Sequence, residues 1–388
     1  MKILMVIPYF TPATSYGGPI PVCHLMGKAL VEMGHSVTVV TTDALDSKSR
    51  IKVLHETIDG MRVIRFRNIS NWAAKYLNLY LPLGFQRWIN KNIHSFDVVH
   101  CHDFFTLLNV IAVSAGKKAS VPCIIQPHGT LNSIGRRSKF SFAKTFFLNF
   151  FPFVLNDSTT IIALTKKEQT EIEALDLRLK PKIRIIHNSI DPIEFKNVSK
   201  LNLCQKYQIP KDAKTISFLG RLHYIKGVDI AIEVISKIKT KDDFYFLIIG
   251  PDEGEQEKLK NLSKQLGVEK NVIFTGILSG IEKLRTLKAT DIFLSLSRSE
   301  GFPMVLLEAA ALNLPIVCSK ECNLPEVQTL GAGFVVNSKK EAIEKVAELL
   351  NNDKLRESYS QKTSQLSEFF SLKKSMDKLT KIYSSISK

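Results

Sequence analysis

Short apolar segments alternate with amphipathic segments along nearly the whole chain. In the first half the apolar segments are rich in Val, Ile and Leu, and a helical pattern over Pro21–Met33 separates the first two. Near-continuous apolar strands with helices between them are typical of a parallel sheet that is covered on both faces. The predicted strands of this half are Lys2–Phe10, His35–Thr42, Met61–Phe66, Phe96–His102, Val121–Pro127, Thr159–Thr165 and Ile183–His187.

The pattern restarts after a loop at Asn188–Asn197. We therefore predict an α/β protein of two doubly wound Rossmann-like domains, one over 1–190 and one over 198–370. A final helix over 371–388 is expected to return to the first domain. Parallel sheets bind ligands beyond the carboxyl ends of their strands, so the two binding edges are expected to face each other across a cleft. The predicted strands of the second half are Thr215–Gly220, Phe244–Gly250, Val272–Gly276, Ile292–Ser297, Pro315–Ser319 and Gly333–Val336.

The charge of the chain is uneven. Of 388 residues, 45% are hydrophobic and 23% charged, as in an ordinary globular protein. The formal net charge is +16, and residues 1–190 hold 23 Lys and Arg against 12 Asp and Glu. This surplus indicates an anionic partner: nucleic acid, a phosphate-bearing substrate or acidic lipid. The six scattered cysteines indicate buried thiols in a reducing cytosol, and no apolar stretch approaches the length of a membrane span, so we expect a cytoplasmic protein.

The segment Ser295–Ser319 carries the most informative chemistry. A strand is expected to end near Ser297, with Ser299 or Glu300 capping a helix whose first turn contains Pro303. The amides of Met304 and Val305 would then be free to bind a diphosphate. Glu308 lies one turn further on, where a carboxylate suits a ribose diol. In the alternative interpretation Glu300 only caps the helix and Glu308 is a solvent-exposed helix residue. The apolar residues around Glu308 disfavour this, because they indicate a buried helix, in which an unpaired carboxylate is costly.

Two loops complete the candidate site. In the loop after the strand ending at Gly220, Arg221 and Lys226 suit the two phosphates of a leaving group. The loop after the first strand contains Gly17 and Gly18, which allow close backbone approach to a ligand. The chain has neither the G-x-G-x-x-G pattern of dinucleotide sites nor a P-loop, and it has no Asp-x-Asp pair, so we predict no metal and no bound cofactor.

Together these motifs resemble the retaining glycosyltransferases of family 4, which have the GT-B fold. The likeness runs over essentially the whole chain and includes similarity to enzymes that build bacterial surface polysaccharides. The motifs that carry it are Gly17-Gly18, Gly34-His35-Ser36-Val37, Asp97-Val98-Val99-His100, Pro127-His128-Gly129, Ala163-Leu164-Thr165, Ile186-His187-Asn188-Ser189-Ile190-Asp191, Gly220-Arg221 with Lys226-Gly227, and Glu300 with Glu308. At Asn313, where the family usually has Gly, we expect a left-handed helix end, which Asn tolerates.

The resemblance implies that the domain over 1–190 binds the acceptor and the domain over 198–370 the donor, and it implies a role for each matching residue. Arg221 and Lys226 would hold the donor diphosphate, Glu308 the ribose and Glu300 the transferred sugar, while His128 would lie over the reacting centre. It also implies hexosyl transfer from a nucleotide diphosphate-sugar, with retention of configuration, to a glycan or polyprenyl-diphosphate-linked acceptor. The remaining donor-binding residues would be Gly17, Gly18, Gly220, Gly301, Phe302, Pro303, Met304 and Val305, and the acceptor-binding residues His102, Asp103, Arg136 and Arg137.

One basic and aromatic segment, 136–153, has two interpretations. It fits a helix that lies in an anionic membrane interface on the inner face of the membrane, and it equally fits a helix packed on its own domain. Two rival functions also remain: a nucleotide-sugar epimerase or hydrolase of GT-B-like fold, and a non-enzymatic module that binds anionic surfaces. Nucleic acid is disfavoured as a partner, because no recognition-helix or base-stacking motif is present.

Overall fold

The computed structural model describes residues 1–13, 18–131, 141–240 and 242–387. These residues form two compact units. The first comprises Met1–Asn188 with Leu372–Lys388, and the second comprises Ser189–Ser371. Each unit is built around its own β-sheet and has its own hydrophobic core.

The first unit contains an eight-stranded sheet in the order β3-β4-β2-β1-β5-β6-β7-β8. All neighbouring strands run parallel except β3, which pairs antiparallel with β4 at one edge. The central strands are buried on both faces, which explains their continuous runs of Val and Ile. The strands are β1 (Lys2–Val6), β2 (Ser36–Thr42), β3 (His55–Ile58), β4 (Met61–Phe66), β5 (Val98–His102), β6 (Cys123–Gln126), β7 (Thr160–Ala163) and β8 (Ile183–Ile185).

Helices connect these strands, and side-chain caps fix where several of them begin. Thr106 accepts a hydrogen bond from the amide of Asn109, and Thr165 accepts one from that of Glu168. The helices are α1 (Pro19–Glu32), α2 (Asn71–Leu77), α3 (Phe85–Asn92), α4 (Leu107–Ala119), α5 (Ser141–Phe150), α6 (Phe153–Asn156) and α7 (Lys166–Glu173).

The second unit contains a six-stranded, wholly parallel sheet in the order β11-β10-β9-β12-β13-β14. The strands are β9 (Lys214–Leu219), β10 (Phe244–Ile249), β11 (Val272–Gly276), β12 (Ile292–Ser295), β13 (Ile316–Ser319) and β14 (Gly333–Val336). The helices are α8 (Leu203–Tyr207), α9 (Val228–Ile235), α10 (Gln256–Gln265), α11 (Gly280–Lys288), α12 (Met304–Ala311), α13 (Glu326–Thr329), α14 (Lys339–Asn351) and α15 (Asp353–Phe369).

The last helix, α16 (Leu372–Ile386), belongs to the first unit. It packs against α1, and Met376, Leu379 and Tyr383 are buried in the core that β1 and β2 share with α1. The hydroxyl of Tyr383 lies 2.7 Å from Nδ1 of His100 on β5, so a residue near the end of the chain contacts the centre of the first sheet.

The predicted fold class is confirmed, since both sheets are Rossmann-like and, apart from the edge strand β3, consist of parallel strands that helices connect. The one strand that the pattern missed is β3, a short polar segment at the sheet edge. Among the described residues, no helix combines the length and the apolar character needed to cross a bilayer.

Candidate active site

The candidate donor residues of the second unit lie on loops that follow its strands and on helix α12, and glycines let the loops approach closely. A Cβ on Gly250, after β10, would lie 1.8 Å from the carbonyl oxygen of Gly220, after β9. A Cβ on Gly227 would lie 2.0 Å from the carbonyl oxygen of Leu296, after β12. Both glycines have positive φ, so no other residue fits either position without a backbone shift.

Lys226 and Glu300 meet directly at this edge. The Nζ atom of Lys226 lies 2.6 Å from Oε1 of Glu300, and the hydroxyl of Ser297 donates to the same oxygen at 2.8 Å. The main chain of Glu300 is held as well, because its amide donates to the carbonyl of Glu321 and its carbonyl accepts from the side chain of Asn323. Two residues that are 74 positions apart in the sequence therefore form one preorganised pair.

The other two donor candidates each have a partner of their own. Arg221 donates to both carboxylate oxygens of Glu253 at 2.8 Å, and Lys283 on α11 lies 2.5 Å from Oε2 of Glu308 on α12. With the Lys226–Glu300 pair, this edge holds three cations and three carboxylates in matched pairs. An anionic ligand would therefore meet cations that already have carboxylate partners.

The start of α12 differs from the prediction. The capping position is Pro303, with no side-chain cap, so neither Ser299 nor Glu300 caps the helix. The Glu300 carboxylate is instead engaged by Lys226 and Ser297. The amide of Met304, expected to be free, donates to the carbonyl of Phe302 at 3.1 Å.

A cavity of about 300 Å³ lies beside these pairs rather than on them. Ser297, Arg298 and Lys339 contribute to its lining, whereas Lys226 and Glu308 do not. We therefore take the three ion pairs as the candidate donor site. The cavity lies next to this site and is not part of it.

In the first unit, three histidines form a row that we call the histidine row: His100, His102 and His128. Nδ1 of His102 lies 3.0 Å from Nε2 of His128, and the rings of His100 and His102 are 4.2 Å apart. Burial lowers the pKa of His100 and of His128 to about 3, and burial together with the other two rings lowers the pKa of His102 well below 6.5. The row is therefore neutral near pH 7, which suits hydrogen bonding to a hydroxyl better than proton abstraction.

The turn that carries His128 is held by Glu168, which the sequence analysis did not single out. Its two carboxylate oxygens accept from the amides of Gly129 at 2.7 Å and Leu164 at 2.6 Å. His128 itself has φ of +54°, an uncommon conformation for a non-glycine residue. Burial raises the pKa of Glu168 to about 7.

The remaining predicted site residues fall into two groups. Gly17, Arg136 and Arg137 lie outside the described residues. Gly18, which precedes α1, has φ of −57°, and a Cβ there would meet nothing within 4 Å. His102 and Asp103 are buried at the end of β5, and burial raises the pKa of Asp103. Acceptor contact by these residues stays a prediction.

The described part of the segment 136–153 has two faces. Phe147, Phe151 and Phe153 pack against the core of the first unit, as the domain-packing interpretation expects. Phe146 and Phe150 are exposed and stack on each other with ring centroids 3.9 Å apart. The segment thus has a packed face and an exposed aromatic face.

Comparison with known proteins agrees with this architecture. Residues 16–194 match the family model described as Glycosyltransferase Family 4, and residues 199–366 match that described as Glycosyl transferases group 1. An uncharacterized glycosyltransferase of Methanocaldococcus jannaschii is 28% identical over 84% of this chain and 82% of its own length. An uncharacterized 41.2 kDa protein in the cps region of Klebsiella pneumoniae is 26% identical over 74% of this chain and 75% of its own length.

Among solved structures, Anabaena HepE in complex with UDP and glucose superimposes with a TM-score of 0.75. It is 18% identical to this chain, and the match covers 99% of this chain and 100% of HepE. At that identity the likeness establishes the fold alone. The two family models between them span nearly the whole chain, one over each half. The chain belongs to the family 4, group 1 glycosyltransferases, and its fold is GT-B.

Proposed function

We propose that this glycosyltransferase moves a hexosyl group from a nucleotide diphosphate-sugar to a glycan or polyprenyl-diphosphate-linked acceptor in the synthesis of a surface polysaccharide. The observation that carries the proposal is the direct pair of Lys226 and Glu300, 2.6 Å apart at the carboxyl edge of the second sheet. One member supplies a fixed cation and the other a fixed hydrogen-bond acceptor, as a phosphate and a sugar hydroxyl require.

Glycosyl transfer places growing negative charge on the departing diphosphate. Fixed cations aimed at that charge stabilise the transition state more than the ground state. Lys226 and Arg221 would supply this stabilisation, and Glu300 would orient the sugar while Glu308 binds the ribose. With two cations in these roles, the proposed reaction needs no metal ion. HepE, solved with UDP and glucose, supports a nucleotide-sugar as the donor.

We propose retention of configuration, in which the acceptor attacks the face that the diphosphate leaves and the diphosphate oxygen takes the acceptor proton. His128 would then donate or accept a hydrogen bond at a sugar hydroxyl. Its pKa of about 3 makes it a poor general base near neutral pH, which supports this assignment over proton abstraction. The anomeric configuration of the product, read by NMR, tests retention directly.

The decisive experiment compares Arg221→Ala and Lys226→Ala with a matched control. Lys345→Ala removes a lysine that also pairs with a carboxylate, Glu348 at 2.9 Å, but lies on α14. We expect kcat/KM to fall by about 10²–10³ in each site variant and to stay unchanged in the control. Unchanged turnover in both site variants would remove the diphosphate assignment. Label released from the donor without acceptor-dependent product would instead favour an epimerase or hydrolase.

The base of the donor can be found by ligand-dependent melting. A ligand that binds the native state raises the melting temperature, so uridine, guanosine and adenosine diphosphates and their sugars can be ranked at one concentration. If Lys226 binds the diphosphate, these ligands should no longer raise the melting temperature of the Lys226→Ala variant. The protein in the cps region of K. pneumoniae, similar over three quarters of its length, supports a polysaccharide acceptor.

A lipid-linked acceptor would require docking at an anionic membrane surface, and the first unit carries features that support this. Residues 60–156 contain 12 Lys and Arg but only two acidic residues, Asp97 and Asp103. Within this span lie two exposed aromatic pairs, Trp72 with Tyr76 on α2 and Phe146 with Phe150 on α5. These four side chains are between 48% and 62% exposed. Aromatic side chains among cations are typical of interfacial segments.

The two aromatic pairs are linked through Phe105. The side chain of Asn78, just after α2, donates to the carbonyl of Phe105 at 3.3 Å. The Phe105 ring packs on that of Phe147 of α5, with centroids 5.6 Å apart, and Nζ of Lys144 lies 5.4 Å from the Phe105 ring. A membrane surface could therefore be contacted by α2 and α5 together.

Sedimentation with phosphatidylglycerol-containing vesicles tests this docking. We expect binding that weakens as salt rises and that falls at least about tenfold in Trp72→Ser/Tyr76→Ser, because each ring contributes about 1.5 kcal/mol or more when buried. Leu177→Ser is the matched control, since Leu177 is an exposed apolar residue of the same unit outside the span 60–156. Absence of binding at low salt would remove the membrane proposal but leave the transferase proposal intact.

A further inference from the structure

Three side chains from separate elements of the first unit converge at one end of its sheet. Cys23 lies on α1, His102 is the last residue of β5, and His128 lies in the turn after β6. One ligand atom from each residue lies within 4.8 Å of the other two. A thiol and two imidazoles at this spacing are a metal-donor set, and no step of the proposed transfer uses the three residues together.

The spacing is near that of a tetrahedral zinc site. Zn–N bonds of 2.0–2.1 Å and a Zn–S bond of 2.3 Å place neighbouring ligand atoms roughly 3.3–3.6 Å apart. The two histidine nitrogens, Nδ1 of His102 and Nε2 of His128, are 3.0 Å apart. A shift of a few tenths of an ångström between the rings and a somewhat larger approach of the thiol would complete the geometry. Cysteine with two histidines suits zinc better than magnesium or calcium, which prefer oxygen ligands.

The outer nitrogens of both rings leave the choice of tautomer open. Nε2 of His102 and Nδ1 of His128 are buried and have no hydrogen-bond partner among the described residues. The second nitrogen of a metal-bound histidine normally fixes the tautomer through its own hydrogen bond. Here no such bond is made within the described chain, so either inner nitrogen can present its lone pair to a cation.

We propose that Cys23, His102 and His128 bind a Zn²⁺ ion, with a fourth position left for water or a substrate oxygen. Cys23 and His102 are buried and His128 is half-buried. On binding, the Cys23 thiol releases its proton to solvent and a Zn–S bond replaces the S–H bond. One of the two inner nitrogens carries the proton of the His102–His128 hydrogen bond; this proton moves to the outer nitrogen of the same ring, and both inner nitrogens then form Zn–N bonds. No oxidation or reduction occurs.

Cobalt provides a direct test, because a tetrahedral Co²⁺–thiolate site gives a charge-transfer band in the near ultraviolet and intense visible bands. The full chain, first dialysed against a chelator, is titrated with Co²⁺ and then with Zn²⁺. We expect one Co²⁺ per chain with the charge-transfer band, displaced by one equivalent of Zn²⁺. A weak spectrum of octahedral, oxygen-bound cobalt, or no spectrum at all, would overturn the proposal.

Variants assign the ligands. Cys23→Ala should abolish the charge-transfer band, whereas Cys204→Ala, which removes a more accessible thiol in the second unit, should leave it unchanged. The reverse pattern would overturn the proposal. His128→Asn provides a second arm that does not depend on a buried substitution, because Asn tolerates the left-handed backbone at this position. It should weaken cobalt binding by at least about tenfold, as expected for loss of a ligand, and unchanged affinity would exclude His128.

Zinc at this position would engage His128 and so compete with its sugar contact, a consequence that rests on the proposed function. We expect micromolar Zn²⁺ to inhibit sugar transfer, a chelator to restore it, and Cys23→Ala to be resistant. The two failures are distinguishable. A cobalt–thiolate spectrum without inhibition would uphold the metal site and remove the role of His128, whereas loss of the spectrum would remove the metal site alone.

Discussion

Gly227 lies where two loops of the second unit approach each other closely, and replacing it tests whether that approach organises the donor site. It follows Lys226 directly and has φ of +63°, and a Cβ there would lie 2.0 Å from the carbonyl oxygen of Leu296. Contacts between Cβ and a carbonyl oxygen are rarely shorter than 3 Å, so Gly227→Ala must push the loop after β9 about 1 Å from β12. The clash is with backbone, which cannot rotate away as a side chain can.

The expected loss in the free energy of unfolding follows from the backbone cost and from the hydrogen bonds that the displacement would break. A left-handed non-glycine residue costs about 1–2 kcal/mol. The amide of Arg298 donates to the carbonyl of Ile225 and its side chain donates to that of Tyr224, both at 2.7 Å, and each such bond contributes about 1 kcal/mol. We therefore expect Gly227→Ala to lower the free energy of unfolding by about 3–4 kcal/mol and to misplace Lys226, raising the donor KM.

Gly267→Ala is the matched control for this experiment. Gly267 also has positive φ, at +71°, but a Cβ there would meet nothing within 4 Å. It should therefore show only the backbone cost of about 1–2 kcal/mol and an unchanged donor KM. Urea unfolding of the two variants followed by circular dichroism, with donor titrations under the same conditions, separates the two effects. Equal loss of stability in both variants would refute the close approach of the loops.

Further predictions concern charge and backbone. Lys283→Ala leaves the half-buried Glu308 without the lysine it now contacts, and we expect the donor KM to rise about tenfold if Glu308 binds the ribose. Asn313 has φ of +63°, so Asn313→Gly should preserve stability while Asn313→Ala should cost about 1 kcal/mol in thermal unfolding. The histidine row stays neutral in the folded protein, whereas the unfolded chain binds protons at these histidines near pH 6.5, so acid lowers the free energy of unfolding. Glu168 acts oppositely between about pH 4.5 and 7, because its raised pKa lets the folded protein bind the extra proton. Burial also raises the pKa of Asp103, which opposes the histidines in the same way. Three protons against at most two predict a net loss of about 1–3 kcal/mol in the free energy of unfolding per pH unit from pH 6 to 5, measurable by urea unfolding at each pH.

The fold could be predicted largely because buried parallel strands leave a strong local pattern. The runs of Val, Ile and Leu correspond to 13 of the 14 strands of the two sheets. The exception, β3, has alternately exposed and half-buried positions at a sheet edge, where nothing requires continuous hydrophobicity. The left-handed backbone expected at Asn313 is confirmed as well.

The site could be predicted less completely, because ion pairs between distant elements leave no local pattern. Lys283 and Glu253 are ordinary charged residues of a helix and a turn, and only the fold brings them to Glu308 and Arg221. Glu168 did carry a signal: it lies three residues after Thr165, the spacing of a capping box. Its carboxylate reaches the amides of Leu164 and Gly129 instead, which no spacing rule could indicate.

The three ion pairs of the donor edge are unequal, and the difference bears on how a diphosphate would be bound. The side chains of Arg221 and Glu253 are 55% and 36% exposed, and such surface pairs contribute about 0–1 kcal/mol, so Arg221 can exchange Glu253 for a phosphate at little cost. Lys226 and Glu300 are only 21% and 11% exposed, and Glu300 is held further by Ser297. Separating that pair would leave a mostly desolvated carboxylate without its cation. The geometry therefore favours a donor that contacts Lys226 and Glu300 while they remain paired, with Arg221 as the cation that changes partner.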